Sequence, residues 1–305
     1  MKHIFIVNPI AGKGKGPEIV VPQLKKVFNN EQDYKVFITR YKGHTAEICE
    51  KLAQSSEPMR IYACGGEGTC FDVLNAVVNH PNISIGVIPC GSANDFLKFF
   101  GEKDLFFDIK EQINAIDVPV DLIKANEFYC LNGCSVGMDA VVAHDMSIFK
   151  SWPGVSGSAA YKLAVVKTFL RKVGDNFKIT VDGKLLGIKN CLFAVCANGP
   201  VYGGGYKSAP YANPFDGKLD FTIVETISKL KVPAFLKRYE QGKHECFDYC
   251  SLGTCNSFEI EAERPVPVNL DGEIIERQKL KFEIVKNGIK FALPKRIAEK
   301  YTVDK

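Results

Sequence analysis

The chain has 305 residues, of which 46% are hydrophobic and 24% are charged, so it can bury a sizeable core. At about 150 residues per domain, this length predicts two domains. The formal net charge of +4, without dense lysine or arginine tracts, excludes a dedicated nucleic-acid binder but allows contact with anionic nucleotides or an anionic membrane surface.

No stretch of the sequence approaches the ~20 consecutive apolar residues that a membrane-spanning helix needs. The first apolar run, Ile4-Phe5-Ile6-Val7, is too short for a signal peptide and is typical of a buried strand. We therefore expect a cytoplasmic protein that reaches any membrane from the water side.

The 11 cysteines form no CxxC pair, and without a secretion signal they are expected to be reduced thiols. His244, Cys246, Cys250 and Cys255 match no common zinc spacing. The sequence therefore predicts neither a disulfide framework nor a zinc site.

The first 125 residues alternate short apolar runs with helical patterns. Four strands and four helices are predicted: strands at 3–7, 35–39, 60–64 and 84–88, and helices at 17–29, 44–55, 69–79 and 92–100. Start signals for these helices are Pro17, Thr45, Thr69 and Ser92. Strands separated by helices predict a Rossmann-like α/β domain with a parallel sheet, whose ligands bind at the carboxyl ends of the strands.

After about residue 117 the pattern becomes β-rich. Strands are predicted at 177–181, 190–197, 218–224, 256–262 and 278–285. Helices are predicted at 138–172, broken at Trp152-Pro153-Gly154, and at 230–241. Asp182-Gly183 is typical of a hairpin turn. This half therefore reads as an antiparallel, β-sandwich-like domain.

We place the domain boundary between residues 125 and 126, with the last residues able to return to the N-terminal domain. No flexible linker separates the halves, so the sequence predicts an active site in a cleft between two domains. Exposed strand edges in the second domain make a homodimer compatible with the sequence.

The clearest chemical motif is Gly65-Gly66-Glu67-Gly68-Thr69, which follows a strand and opens a helix. Glycines allow close backbone approach, and the amides at a helix N-terminus suit a phosphate. A glycine turn of this kind also occurs for structural reasons alone.

Two other predicted strand ends carry similar turns. Asn8-Pro9-Ile10-Ala11-Gly12-Lys13-Gly14-Lys15-Gly16 follows the first strand, and Pro89-Cys90-Gly91-Ser92-Ala93-Asn94-Asp95-Phe96 follows the fourth. Neither matches the dinucleotide-binding or P-loop spacing. Three such turns at one edge of a sheet favour a phosphate site over packing.

In this order, NPxxGKGxG, GGxGT, PxGSANDF and a late DGE resemble the diacylglycerol kinase catalytic domain of bacterial soluble lipid kinases. Sphingosine and ceramide kinases are similar to the same family, and phosphofructokinases and NAD kinases are more distant relations. The resemblance extends through the second half, where it includes Asn198-Gly199, Gly203-Gly204-Gly205, Ala209-Pro210 and Asp216-Gly217-Lys218-Leu219-Asp220.

The resemblance implies that ATP and Mg²⁺ are used and that a hydroxyl of a membrane lipid is phosphorylated. The implied nucleotide-binding residues are Asn8, Gly12, Thr39, Gly65, Gly66, Glu67, Gly68, Thr69, Ser92, Asn94, Asp95 and Asp121. Of these, Asp95 and Asp121 match carboxylates that organise a magnesium–water network. From residues alone, Asp95 is equally a helix-turn acid and Asp121 a strand-end cap.

A base that takes the hydroxyl proton is needed for transfer to an alcohol. Val268-Asn269-Leu270-Asp271-Gly272-Glu273 supplies two carboxylates, although Asp-Gly is also a common structural hairpin turn. The resemblance makes Asp271 the candidate base, with Glu273 assisting or serving instead.

The family carries a structural magnesium near residues 213–220, which implies a metal site at Asn213, Asp216 and Lys218, with Asp220 in reserve. Acids and carbonyls of a loop can supply the oxygen ligands that magnesium needs.

The sequence is less specific about the residues that would bind the lipid. Met138, Val142, Ile148, Phe149 and Trp152 are candidates for an acyl groove, although such residues more often belong to a core. Trp152 also suits a membrane interface. We expect a membrane-lipid substrate and peripheral membrane contact, but no nucleic-acid partner.

The family usually has Asp where this chain has Glu67, and Asn-Glu where it has Phe71-Asp72. One hypothesis is that Glu67 and Asp72 share a network in which their lengths compensate. The alternative is a nucleotide-binding regulatory protein that docks at membranes without catalysis. A kinase of a soluble alcohol such as NAD is a third hypothesis, which the loops beginning at Asn8 and Ser92 disfavour.

Overall fold

The computed structural model describes residues 1–28, 33–91, 94–150, 152, 155, 159–160, 163–164, 167–168, 174–203 and 205–302. The chain divides into two compact units. Unit 1 comprises Met1–Leu122 and the residues from Lys286 onward, and unit 2 comprises Ile123–Val285. Within the described ranges, no helix has both the length and the apolar character needed to cross a bilayer.

Strands and helices alternate in unit 1, whereas strands dominate unit 2. The strands are β1 (Lys2–Val7), β2 (Tyr34–Ile38), β3 (Met59–Cys64), β4 (Ile83–Ile88), β5 (Ile116–Ala125), β6 (Phe128–Cys130), β7 (Gly133–Gly137), β8 (Asp175–Val181), β9 (Lys184–Ala197), β10 (Leu219–Glu225), β11 (Cys250–Cys255), β12 (Ser257–Leu270) and β13 (Glu273–Leu293). The longer helices are Gly16–Val27, His44–Ala53, Glu67–Val77, Met138–Lys150, Val232–Glu240 and Lys295–Thr302. Shorter helices are Asp95–Lys98, Lys103–Phe107 and Ile109–Ile113.

The sheet of unit 1 has the order β13-β4-β3-β1-β2, and all its neighbouring strands are parallel. Every residue of β3 and β4 is buried, because a parallel sheet is covered on both faces. In the core beside the sheet, the rings of Phe5 and Tyr62 stack with centroids 4.3 Å apart. The predicted α/β class with a parallel sheet is confirmed.

A buried arginine lies beside this core. Arg60 of β3 is 2% exposed, and its Nη2 lies 2.8 Å from Oδ1 of Asp117 in β5. The guanidinium also donates to the carbonyls of Gln112, Ile113 and Ala115. A buried charge is tolerated only when it is paired in this way, so Arg60 fixes the chain that enters β5 against β3.

Unit 2 is an antiparallel assembly with the strand order β11-β10-β9-β7-β12-β13. Two long strands change partners along their length: the first halves of β9 and β12 pair with β8, and their second halves pair with β7. This exchange gives the β-sandwich-like arrangement that the sequence predicts. Its core includes Phe193, Phe235 and Tyr239, where the helix Val232–Glu240 packs on the strands.

Several local predictions need correction. The helix His44–Ala53 follows Gly43, whose φ is 91°, and Thr45 is buried within the helix rather than capping it. The next helix begins at Glu67 after Gly66, so Thr69 lies inside its first turn. In both cases a glycine makes the turn that the hydroxyl residue was expected to make.

Two other predictions are only partly covered by the structure. The fourth helix is short, Asp95–Lys98, and its expected start at Ser92 lies outside the described residues. The region 138–172 begins with the helix Met138–Lys150, but Pro153 and Gly154 of the predicted break also lie outside the described residues.

Candidate functional site

Three glycine turns meet at the carboxyl edge of the parallel sheet in unit 1. The amide of Gly12 donates to the carbonyl of Cys90 at 2.8 Å, which joins the turns after β1 and β4. The amide of Gly91 donates to the carbonyl of Gly65 at 3.0 Å, which joins the turns after β4 and β3. The turns that the sequence predicts at three strand ends therefore form one contiguous backbone surface.

The turn after β1 is held by Asn8. Its Oδ1 accepts from the amide of Ile10 at 3.0 Å, and its Nδ2 donates to Oγ1 of Thr69 at 3.3 Å. The following residues Gly12, Lys13 and Gly14 have φ values of 63°, 61° and 85°. This left-handed turn is followed by a helix and presents two exposed lysines, Lys13 and Lys15.

The other two turns approach so closely that side chains would collide. A Cβ on Gly91 would lie 2.5 Å from the Cα of Gly66, and one on Gly65 would lie 2.3 Å from Oγ1 of Thr69. Glycine at position 91 is therefore a steric requirement of the contact between the two turns, and glycine at position 65 is required by the packing of Thr69 within its own turn.

Glu67 links the turn after β3 to the turn after β4. Its Oε1 accepts from the amide of Asp95 at 2.9 Å, and Nδ2 of Asn94 donates to the carbonyl of Gly65 at 3.3 Å. Asp95 is 2% exposed, and its Oδ1 lies 2.6 Å from Nζ of Lys98. Glu67 thus accepts from the first amide of the helix Asp95–Lys98. The Asp95 carboxylate itself pairs with Lys98.

This geometry does not favour the proposed pairing of Glu67 with Asp72. Five residues along a helix place two side chains about 140° apart around its axis. Burial raises the pKa of the Cys49 thiol on the neighbouring helix, and the Asp72 carboxylate adds to this effect. The extra methylene of Glu67 is explained by its reach to Asp95.

Two further predicted nucleotide residues lie elsewhere in unit 1, Thr39 directly after β2 and Asp121 within β5. The amide and Oγ1 of Thr39 both lie within donor distance of the carbonyl of Val7, at 3.0 and 3.5 Å, so Thr39 lies beside the turn after β1. Asp121 is buried within β5, and its Oδ1 accepts from the amide of Asn287 at 2.8 Å. Because β5 continues to Ala125, Asp121 is not a strand-end cap. The predicted contact at Ser92 lies outside the described residues.

In unit 2, the carboxylate of Asp271 lies in a cradle of consecutive backbone amides. Its Oδ2 accepts from Leu131 at 2.6 Å and its Oδ1 from Gly133 at 2.8 Å, while the amide of Asn132 lies 3.1 and 3.3 Å from the two oxygens. In return, the amide of Asp271 donates to the carbonyl of Gly133 at 3.1 Å. These donors favour the ionised carboxylate and fix its orientation.

The cradle is held from behind by Asn198, a role that the sequence did not reveal. The Asn198 Nδ2 donates to the carbonyl of Leu131 at 2.7 Å, and its amide donates to the carbonyl of Asn132 at 2.8 Å. Asn132 Nδ2 donates to the carbonyl of Val201 at 2.9 Å. The Asn198-Gly199 motif was the only sequence signal for this contact.

Asp271 also makes the hairpin turn between β12 and β13. Asp271 and Gly272 have φ values of 47° and 92°, and Leu270 pairs with Glu273 across the turn. The amide of Gly272 donates to Oδ1 of Asn269 at 2.7 Å. The structural interpretation of Asp271 as a hairpin-turn residue is therefore confirmed, whereas its role as a base stays a prediction. Glu273 stands half-buried at the first position of β13.

The loop predicted to hold magnesium is organised by its own side chains. Oδ1 of Asn213 accepts from the amide of Phe215, and Oδ1 of Asp216 accepts from the amide of Lys218. Burial, together with the nearby Asp216 carboxylate, raises the pKa of Asp220 to about 6. In the part of the chain that the structure describes, no three His, Cys, Asp or Glu side chains are grouped to hold a metal. Magnesium at this loop stays a prediction.

The four residues that were weighed for zinc in the sequence have different surroundings. All 11 cysteines are free thiols, and Cys255 is buried in β11 whereas Cys246 is exposed. The ring of His244 packs against Tyr239 with centroids 4.9 Å apart.

The residues proposed for an acyl groove divide between core and surface. Phe149 is buried with Ala160 and Ala164, and Val142 packs partly against them. Ile148 and Trp152 are exposed, and the Trp152 ring meets Phe149 edge-on at 5.0 Å. Met138 packs partly on the core around Phe193. A groove formed by all five is not supported by these positions.

Family comparison assigns nearly the whole chain. Residues 2–125 match the diacylglycerol kinase catalytic domain, and residues 132–292 match the YegS C-terminal NAD kinase beta sandwich-like domain.

Two relatives bear the names of lipid kinases. The YegS-like protein of Shewanella frigidimarina, named as a probable lipid kinase, is 29% identical over 88% of this chain and 91% of its own length. YtlR of Bacillus subtilis is 26% identical over 90% of this chain and 94% of its own. In fold, the chain is similar to a crystal structure of a diacylglycerol kinase from Bacillus anthracis, with a TM-score of 0.70 at 22% identity over 97% of this chain and 98% of that one.

The loop contact predicts different outcomes at two neighbouring glycines. Gly91→Ala should lower the free energy of unfolding by about 1–3 kcal/mol, because its methyl group meets the backbone of Gly66. Gly66→Ala should leave stability nearly unchanged, since its Cβ would lie 3.7 Å from the Cα of Gly91. Denaturant unfolding measures both, and equal destabilisation would contradict the steric account.

The reach of Glu67 predicts the effect of changing its length. Glu67→Asp should lose the bond to the amide of Asp95 and lower the free energy of unfolding by about 1–3 kcal/mol. Glu67→Gln keeps the length and the acceptor oxygen and is the matched control. If Glu67→Asp is at least as stable as Glu67→Gln, the length of the side chain at position 67 does not contribute to stability.

Proposed function

This chain belongs to the family defined by the diacylglycerol kinase catalytic domain, and we propose that it transfers the γ-phosphate of ATP to a hydroxyl of a membrane lipid. The observation that carries the proposal is the contact among three glycine turns at the carboxyl ends of β1, β3 and β4. Parallel sheets bind their ligands at this edge. The names of the two relatives support a lipid as acceptor.

The proposed nucleotide site uses the backbone surface of unit 1. The turns after β1 and β3 each precede a helix, and amides at such positions suit phosphate oxygens. Lys13 and Lys15 add positive charge beside the first turn, and Thr39 lies next to it. A bound magnesium ion would neutralise charge on the phosphates, and the acids available to hold it through water are Asp95 and Asp121.

The proposed proton acceptor is Asp271. A general base must be ionised and correctly oriented, and three backbone amides provide both conditions. The same amides stabilise the anion and weaken it as a base, so Glu273, two residues away, is the alternative acceptor.

A lipid acceptor also requires the protein to meet a membrane. We propose peripheral contact, because the acyl chains of the substrate stay in the bilayer while its hydroxyl reaches the water interface. Diacylglycerol is the first candidate acceptor, and phosphatidylglycerol, a polyprenol and a sphingoid base present the same hydroxyl chemistry.

Phosphate transfer to an unfractionated lipid extract tests the proposal directly. The protein is incubated with γ-labelled ATP, magnesium, the lipid extract and NAD, and the products are separated into organic and aqueous phases. We expect label in a lipid. Label in a soluble product would favour the kinase of a soluble alcohol, and ATP binding without any labelled product would favour the regulatory protein.

Asp271→Asn should reduce turnover by about 10²–10⁴-fold, because the amide cannot accept the hydroxyl proton. ATP affinity should be nearly unchanged, since the proposed role of Asp271 is to accept the proton of the acceptor hydroxyl and not to hold the nucleotide. Asparagine tolerates the left-handed turn, so the hairpin should form.

Glu273→Gln is the matched control for this prediction, and turnover, ATP binding and thermal unfolding are measured for both proteins. A larger loss of turnover in Glu273→Gln would assign the base to Glu273. If Asp271→Asn fails to fold and no other substitution at this position restores folding, the result would favour a structural role for Asp271.

A further inference from the structure

The ring of Tyr202 lies against the backbone that holds Asp271. Tyr202 is 7% exposed, and a Cβ on Gly133 would lie 3.3 Å from Cδ2 of its ring. The amide of Gly133 donates to Oδ1 of Asp271 at 2.8 Å, and the carbonyl of Gly133 accepts from the amide of Asp271 at 3.1 Å. The ring therefore covers the residue that exchanges two hydrogen bonds with the proposed base.

Polar contacts on both sides of Gly133 fix the ring in this place. The hydroxyl of Tyr202 lies 2.7 Å from Oγ of Ser135, which is two residues beyond Gly133 on β7. The carbonyl of Val201, the residue before Tyr202, accepts from Nδ2 of Asn132 at 2.9 Å. A shift of Gly133 away from Asp271 would therefore disturb contacts with residues 201 and 202.

The chain around Tyr202 forms a closed turn. The amide of Tyr202 donates to the carbonyl of Tyr206 at 2.8 Å, and the amide of Tyr206 donates back to the carbonyl of Tyr202 at 3.0 Å. Gly203 lies inside this turn with a φ of 64°. Because two backbone bonds close the turn, it gives the ring a fixed support.

Packing alone does not require the Tyr202 hydroxyl. Phenylalanine would fill the same space, and Ser135, which is 1% exposed, could be alanine. Replacing both partners of a buried hydrogen bond by apolar groups is nearly neutral for stability, so the bond is better explained by what it holds in place.

Tyr202 is not itself suited to accept a proton. Burial raises the pKa of Tyr202 well above its ordinary value, and the nearby Asp139 carboxylate adds to this effect. The phenol therefore stays protonated, and any role that it has in the reaction is exerted through its neighbours.

We propose that Tyr202 is a positioning residue, whose ring and hydroxyl hold the Gly133 amide against Oδ1 of Asp271 and so fix the direction of the proposed base. This inference deepens the proposed function and rests on the role proposed for Asp271. Without the Tyr202–Ser135 bond, the Gly133 amide would move more freely. The ionised carboxylate would then lose part of the stabilisation that this donor gives.

Two variants remove this bond while keeping the fold. Tyr202→Phe keeps the ring and loses the hydroxyl, and Ser135→Ala removes its partner. Each should lower kcat for labelling of a detergent-dispersed lipid extract by roughly tenfold to 100-fold, with KM for ATP nearly unchanged. The double variant should lose no more than either single variant, because all three lack the same bond.

The pH dependence of kcat separates positioning from general damage. In both single variants, the pH of half-maximal turnover on the acid side should rise, because a loosened amide favours the ionised carboxylate less. Burial raises the pKa of the Cys130 and Cys134 thiols, which lie near Asp271, so these groups stay protonated at neutral pH and below.

Asp139 needs a control of its own in this measurement. Burial raises the pKa of Asp139 to about 6, so this carboxyl titrates within the range of pH that is scanned. Asp139→Asn removes that titration. The rise caused by Tyr202→Phe should persist in the Asp139→Asn background.

Tyr62→Phe is the matched control for loss of a buried tyrosine hydroxyl. The Tyr62 hydroxyl donates to the carbonyl of Gln112 at 3.2 Å in the core of unit 1, and it has no proposed role in the site. Tyr62→Phe should keep the wild-type kcat and pH profile, even where thermal unfolding shows the same loss of stability as in Tyr202→Phe.

Amide hydrogen exchange tests the contact without any activity. In the absence of ATP and lipid, Tyr202→Phe should speed deuterium uptake by the peptide that carries Gly133, and Tyr62→Phe should not. If no lipid is phosphorylated, or if Asp271→Asn keeps full turnover, the proposed function or the proposed base fails. The exchange measurement still decides whether Tyr202 holds the Gly133 amide.

Three results would overturn the proposal. The first is wild-type turnover with an unchanged pH profile in Tyr202→Phe and Ser135→Ala. The second is reduced turnover with an unchanged half-point on the acid side, because the state of the base would then not depend on Tyr202. The third is an equal loss of turnover in Tyr62→Phe, which would assign the effect to general destabilisation.

Discussion

The close approach of Gly66 and Gly91 is the constraint on which the candidate phosphate site depends. A Cβ on Gly91 would lie 2.5 Å from the Cα of Gly66, so only glycine lets the turns after β3 and β4 join. Their contact, with the bond from Gly12 to Cys90, converts three separate strand ends into one backbone surface. Parallel strand order alone would bring these turns near one another but would not join them by backbone hydrogen bonds.

In unit 2, Asp271 both forms a hairpin turn and orients a neighbouring backbone segment. The Asp271-Gly272 turn fixes the register of β12 on β13, and the Asp271 carboxylate closes the cradle at Leu131, Asn132 and Gly133. Because Asn198 holds the same three-residue segment from the other side, the carboxylate has little freedom to rotate. The rigid hairpin thereby gives the proposed base a fixed direction, which proton transfer requires.

Strands and helices with a regular local pattern were predicted well from the sequence. Features that depend on contacts between residues far apart in the chain were predicted poorly. β3 and β4 follow from nearly continuous apolar runs, because strands buried on both faces carry no alternation, whereas β2 is only half-buried. The first part of β9, Lys184–Asn190, was missed because it is largely exposed and owes its strand form to pairing with β8. The cradle could not be foreseen, since Asn198 and Asp271 lie 67 and 140 residues from Leu131.

The unusual acid at position 67 also follows from the glycine contact. The amide of Asp95 opens a short helix and needs an acceptor, because no residue of that helix can supply one. The Gly66–Gly91 contact fixes the spacing between the two turns, so the turns cannot move closer to suit a shorter side chain. Glu67 reaches the amide at 2.9 Å with its full length. The bond to the Asp95 amide is thus one structural role that the glutamate at position 67 has in this chain.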